Sequence, residues 1–98
     1  MLKKSYSKTK RSCRVTFEMP QQAKAKRVAL CGEFNNWDPS AHPMIQRKDG
    51  RFSTTLSMPA GRSYRYKYLV DNQRWENDWA ADSYVPNEFG SEDSLIQL

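Results

Sequence analysis

The sequence is poor in the residues from which most active sites are built. Its 98 residues contain one histidine, His42, beside Pro43 in what reads as a loop, so neither a Ser/His arrangement nor a cluster of metal-binding histidines can be assembled from it. Two cysteines, Cys13 and Cys31, are too few for a disulfide framework. A bridge between them stays open as an alternative to two small buried hydrophobes, the favoured reading. With four glycines there is no glycine-rich phosphate loop, and CxxC and EF-hand patterns are missing too, so no cofactor or metal is expected. No apolar run approaches the roughly eighteen residues of a membrane helix and none follows the N-terminal lysines. Membrane contact and a signal peptide are therefore not expected, and a cytoplasmic location is. Helical periodicity, internal repeats and low-complexity tracts are also absent. The length excludes a catalytic (β/α)8 barrel, which needs about 250 residues, and allows one domain.

Acidic residues are missing from the first fourteen positions, where Lys3, Lys4, Lys8, Lys10, Arg11 and Arg14 supply six positive charges. The remainder has ten basic residues against eleven acidic ones, so the net charge of +5 belongs to an arm and the body is near neutral. That distribution argues against nucleic acid, whose stacking surfaces are basic where the aromatics lie. What the chain does have is aromatics: three tryptophans, five tyrosines and four phenylalanines. They offset a mean hydropathy of -0.90 by burying large areas per residue, and the chain reads as folded.

Residues 1–12 lack periodicity and are expected to form a flexible basic arm, with the domain proper at 13–98. CRVTFEMP alternates Val15, Phe17 and Met19 with polar residues, a half-buried strand stopped by Pro20. QQAKAK is a polar connection. RVALCGEF is a second strand with Val28, Leu30 and Phe34 inward, Gly32 marking a bulge or a close backbone approach. Asp49-Gly50 is the strongest hairpin signal, and Phe52, Thr54, Leu56 and Met58 alternate after it. RSYRYKYLVD is the longest strand, with Tyr64, Tyr66 and Tyr68 read as core. Residues 74–93 read as a long ordered loop, and SLIQL closes the chain. About seven short strands with frequent turns predict an all-β, antiparallel sandwich of immunoglobulin-like type.

Two stretches carry the functional signal. In GEFNNWD an apolar segment stops at Phe34 and turn chemistry surrounds Trp37, which places an indole at the tip of a turn. In YRYKYLVDNQRW a strand hands over at Asp71-Asn72 to Trp75, flanked by Arg74 and Glu76. Two exposed indoles and a lysine on separate segments fit a polyhydroxylated ligand lying across them.

Those stretches, followed by NEFGSEDSLIQL, resemble carbohydrate-binding module family 48. That family includes the glycogen-binding domain of the AMP-activated protein kinase beta subunit and the N-terminal early-set domain of isoamylases and branching enzymes. The resemblance spans about residues 14–98 and implies a non-catalytic β-sandwich that binds α-1,4-glucans such as glycogen, starch and maltooligosaccharides. It implies that Trp37 and Trp75 stack on sugar rings, that Lys67 donates to hydroxyls, and that Phe89 pushes into the curve of the glucan. Ser91 and Asp93 fall on polar contact positions. Asp93 departs from the usual asparagine, which removes two donors and adds a charge. Trp79, where relatives often have proline, is either an extension of the platform or a loop-packing residue; with Asn36 it is an accessory candidate.

Physical chemistry points the same way. Each indole offers about 100 Å² of contact at about 25 cal/mol/Å², so two supply about 5 kcal/mol against an association cost of about 4 kcal/mol upward. The small surplus predicts micromolar to millimolar binding by a monomer, strengthened on a polymer. Two rivals remain. Asp71, Glu76, Asp78 and Asp82 could supply a paired acid and base, but carboxylates this dense in a loop read as solvated turn formers, so no catalytic residue is assigned. The tryptophan patch could instead dock on a glycogen-metabolising enzyme of the glycoside hydrolase 13 type, with sugar binding weak or lost.

Overall fold

The computed structural model describes residues 2–19 and 25–98. Most of the 21–26 connection therefore lies outside the described residues, as does Pro20. Among the described residues nine strands form two antiparallel sheets. The first contains β1 (Leu2–Tyr6), β2 (Ser12–Met19), β4 (Ile45–Gln46) and β5 (Phe52–Pro59), in the order β1-β2-β5-β4. The second runs β3-β6-β9-β8, from β3 (Val28–Gly32), β6 (Ser63–Val70), β9 (Glu92–Gln97) and β8 (Ser83–Pro86). A short β7 (Arg74–Glu76) pairs with the far half of β6. The chain is thus an all-β sandwich, and its helical content among the described residues is one 3-10 turn at Glu33–Asn35.

Alternation decides which side chains meet between the sheets. Val15, Phe17 and Met58 from the first sheet pack on Leu30, Tyr66, Tyr68, Val70 and Ile96 from the second, all buried. Phe17 and Tyr66 meet edge to face across the gap, with ring centroids 5.1 Å apart. The three alternating tyrosines of β6 are core, as their spacing predicts. Both cysteines are buried free thiols, Cys13 on β2 and Cys31 on β3. Asp49-Gly50 makes its hairpin, Gly50 adopting φ 90°.

Two expectations need correction. Within the expected arm of residues 1–12, the described residues Leu2–Tyr6 form a strand that pairs residue for residue with Phe17–Cys13. Four of its five side chains are exposed, so the pairing rests on backbone hydrogen bonds that leave no hydrophobic pattern to read. Lys4 points to the open side of the sandwich, where its ammonium meets Asp82 at 2.6 Å. Residues 74–93 are likewise not one loop, because β7 and β8 lie within them. At three and four residues these strands are too short to show alternation.

The outer faces differ. On the first sheet the solvent side carries a Thr16–Thr55 hydroxyl contact and the ion pairs of Glu18 with Lys3 and Arg51. On the second it carries aromatic residues and a buried carboxylate.

Candidate glucan-binding face

Strand register places the candidate residues. Residues directly opposite one another in an antiparallel pair share a face. Cys31 lies opposite Lys67, Ala29 opposite Leu69, and Leu69 opposite Trp75, so all five occupy the solvent side of the second sheet. Arg65 lies opposite Leu95, and Asp93, two residues before Leu95, shares that face.

Two turns aim the indoles. After β3 the chain makes its 3-10 turn and then places Asn36 and Trp37 in successive left-handed conformations, φ 56° and 58°. A bulky residue adopts such a φ only where surroundings hold it. Here Trp37 N–H donates to Gly32 C=O at 2.9 Å, and Asn35 accepts from Gly32 N–H while donating to Leu30 C=O. The Glu33 carboxylate accepts from Arg65 N–H at 2.7 Å, fastening the turn to β6. Gly32 is required for close approach, not for flexibility: its φ is -171°, and a Cβ there would stand 2.5 Å from Arg65 O and 2.8 Å from the Phe34 ring. The chain is folded back so that Trp37 covers Ala29, Cys31 and Leu69 and is itself half-buried. Asp71 and Asn72 repeat the device between β6 and β7, with φ 52° and 56° and Gln73 N–H donating to Val70 C=O. Asp71 accepts from Lys26 and Arg27 N–H at 2.8 and 2.9 Å, and those bonds hold its carboxyl below the ordinary range.

The outcome is a tryptophan pair. Trp37 and Trp75 lie 6.4 Å apart, centroid to centroid, with planes at 75°. They form a corner and not a single flat surface. Trp75 is 48 % exposed. Beside them an open groove of about 540 Å³ continues over Ala29 and Leu69 toward Pro39, Pro43 and Asn72.

The other candidates cluster at the far end. Lys67 Nζ lies 3.4 Å from Ser91 Oγ and 3.8 Å from Asp93 Oδ1. Phe89 projects from the β8–β9 loop at 84 % exposure. Asn87, which sequence reasoning missed, organises that loop: its Oδ1 accepts from Phe89 and Ser91 N–H, and its Nδ2 donates to Asp93 Oδ1 at 3.0 Å. The signal for it was Asn followed by Gly90, a turn pair three residues apart. Arg65 was missed as well. Trp79 is 68 % exposed, and among the described residues ring contact joins Trp37 to Trp75 but not to Trp79. Asn36 lies in the left-handed turn that precedes Trp37.

Two electrostatic features complete the face. Burial, and secondarily Asp38, pushes the Cys31 thiol up to about 11, so beneath Trp37 it is an inert spacer at neutral pH. Asp38 is held below the usual carboxylate range by the amide and hydroxyl of Ser40. Asp78 corrects the reading of loop carboxylates as solvated: it is 2 % exposed and accepts from both Tyr66 and Tyr68 hydroxyls at 2.8 and 3.0 Å. It braces the core beneath the face. The sequence could not show this, because Asp78 lies outside any periodic segment.

An all-β module with an aromatic outer face defines the class. Within it, residues 13–96 match the family described as "Glycogen recognition site of AMP-activated protein kinase", and the chain belongs to that family of carbohydrate-binding modules. The chain is 39 % identical over 51 residues to 1,4-alpha-glucan branching enzyme GlgB 2 of Xanthomonas campestris pv. campestris, covering 51 % of this chain and 7 % of the relative. It is 33 % identical over 66 residues to the 1,4-alpha-glucan branching enzyme GlgB of Aquifex aeolicus, covering 66 % and 10 %. It is also 34 % identical over 62 residues to a glucoamylase of Neurospora crassa, covering 54 % and 10 %. The chain thus spans a tenth or less of the length of these relatives, so the likeness concerns a module and not a whole enzyme.

Proposed function

We propose that this chain holds a coiled α-1,4-glucan on the outer face of its second sheet, with Trp37 and Trp75 stacking on successive glucose units. The observation that carries this is the edge-to-face pair itself. Two rings at 75° cannot both lie flat on one planar ligand, but they can each meet a sugar of a chain that turns between them. Lys67 donates to ring hydroxyls, Ser91 and Asp93 accept, and Phe89 enters the curve of the glucan. Trp79 and Asn36 are accessory, Trp79 as a further apolar surface. The stacking surplus is small, so a single chain binds in the micromolar to millimolar range as a monomer. The module works beside a glucan-acting enzyme, a reading supported by the names of the relatives.

The test is a titration with maltoheptaose and β-cyclodextrin followed by tryptophan fluorescence, on wild type, Trp37→Ala and Trp75→Ala. Saturable quenching or a blue shift in wild type, lost in both variants, is expected. A flat wild-type response up to saturating sugar removes the glucan reading and favours docking on a protein partner through the same tryptophans.

A further inference from the structure

Asp93 is a carboxylate with 7 % of its surface exposed, on a face otherwise suited to sugar. A charge so far from water requires compensation. Three side chains converge on it. Asn87 Nδ2 donates to Oδ1 at 3.0 Å, Arg65 Nη1 approaches Oδ2 at 3.5 Å, and Lys67 Nζ stands 3.8 Å from Oδ1. The two oxygens are therefore divided between the two cations. Arg65 is fixed in place: the same Nη1 donates to Pro86 C=O at 3.1 Å, and its backbone N–H is bound by Glu33. Lys67 is held less firmly. Its distance to Asp93 exceeds hydrogen-bond reach, and its contact with Ser91 Oγ, at 3.4 Å, is long.

We propose that Arg65 is a positioning residue for glucan binding, compensating the Asp93 carboxylate so that the Lys67 ammonium keeps its donors for the sugar. The inference rests on the assignment of Lys67 to sugar contact above. Arginine suits the task, since its planar guanidinium binds a carboxylate from a fixed direction while also serving a backbone carbonyl. Without it, Lys67 becomes the nearest cation to a nearly buried charge. A flexible ammonium then closes to about 2.8 Å and forms a charge-assisted bond with Asp93, withdrawing from the ligand. With asparagine at 93 there is no charge to draw Lys67, so Arg65 has nothing to compensate. The effect of residue 65 is thus conditional on residue 93.

The test is a set of β-cyclodextrin titrations by tryptophan fluorescence, with folding checked by circular dichroism. Arg65 has 38 % of its side chain exposed on the sheet surface, so a polar replacement is compatible with the fold. Arg65→Gln is expected to weaken binding about tenfold, the loss of roughly one charge-assisted hydrogen bond. In the Asp93→Asn background the same substitution changes affinity by less than about twofold, and in the Lys67→Met background it has no further effect. Arg65→Lys, which keeps the charge but loses the planar guanidinium, is expected to fall between wild type and Arg65→Gln. An equal loss from Arg65→Gln in all three backgrounds means that Arg65 contacts sugar or shapes the fold directly, and overturns the proposal; so does no loss in the wild-type background. A wild-type chain that ignores the sugar removes the binding reading first, and this inference falls with it.

Discussion

The Trp37 ring rests on Ala29, Cys31 and Leu69 while its centroid lies 6.4 Å from that of Trp75 with the planes at 75°, so one indole is floor and the other is wall. The two substitutions therefore separate affinity from stability. Trp75→Ala removes a ring that is half exposed; it is expected to abolish most glucan affinity and to cost less than about 1 kcal/mol of stability. Trp37→Ala uncovers the three residues beneath it and costs about 2–3 kcal/mol, a fall in melting temperature of roughly 10 °C or more. It also opens Cys31 to solvent. Thiol labelling with an aromatic disulfide reagent should be slow in wild type and in Trp75→Ala and fast in Trp37→Ala. Equal labelling in all three shows that Trp37 does not cover the thiol.

The buried hydroxyls of Tyr66 and Tyr68 set a limit at alkaline pH. Burial first, and the adjoining Asp78 charge second, hold both phenols well above their ordinary value. A tyrosine is neutral when protonated, so a raised folded value means that the unfolded chain releases the proton first. Stability is then intact below about pH 10 and falls as pH climbs beyond it, by up to about 1.4 kcal/mol per pH unit for each group. Cys31, raised to about 11 from 9.0, adds a loss that begins near pH 9. Urea midpoints between pH 8 and 11.5 should drop accordingly, and Tyr66→Phe should flatten the slope. In a spectrophotometric titration Tyr66 and Tyr68 are expected to ionise only on unfolding. Their phenolates appearing near pH 10, with the fold intact, would contradict this.

Legibility followed the range of the interactions. Alternation in Val15 to Met19 and Tyr64 to Tyr68 marks strands because a half-buried strand repeats every two residues, and those segments are core in the structure. Trp37 and Trp75 stand out because turn residues surround them. By contrast β1 is held by backbone bonds, and β7 and β8 are too short to carry a pattern. Arg65 looked like any solvated strand cation, since its meaning depends on Asp93, 28 positions away. Asp78 was equally hidden: its tyrosine partners are recognisable as core, but nothing local says that a loop carboxylate turns inward to meet them.

Gly32 offers a test of how tightly the turn is set. An added methyl group would meet the Arg65 carbonyl at 2.5 Å, and backbone cannot yield as a side chain does. Gly32→Ala should cost about 1–3 kcal/mol and displace the Trp37 turn from β6. The check combines thermal denaturation with glucan titration: stability and affinity are expected to fall together. A stable variant of unchanged affinity would show that β3 and β6 can separate there without moving the indole.

Phe89 and Asn87 should give the opposite pairing of effects from the same loop. Phe89 is 84 % exposed, so Phe89→Ala removes contact with ligand and leaves the melting temperature within about 2 °C. Asn87 acts through hydrogen bonds: its amide oxygen accepts from Phe89 and Ser91 N–H and its amide nitrogen donates to Ser91 Oγ and Asp93 Oδ1. Asn87→Ala leaves those groups to water and deprives Asp93 of its shortest bond, which costs about 1–2 kcal/mol and lets the loop tip wander. Affinity should fall at least as far as in Phe89→Ala, although the phenyl ring is still present. Calorimetric titration with β-cyclodextrin distinguishes the two: Phe89→Ala loses favourable enthalpy of contact, whereas Asn87→Ala adds an entropic cost of reordering the loop. If Asn87→Ala binds like wild type, the loop is held by its strands and Asn87 has no part in presenting Phe89.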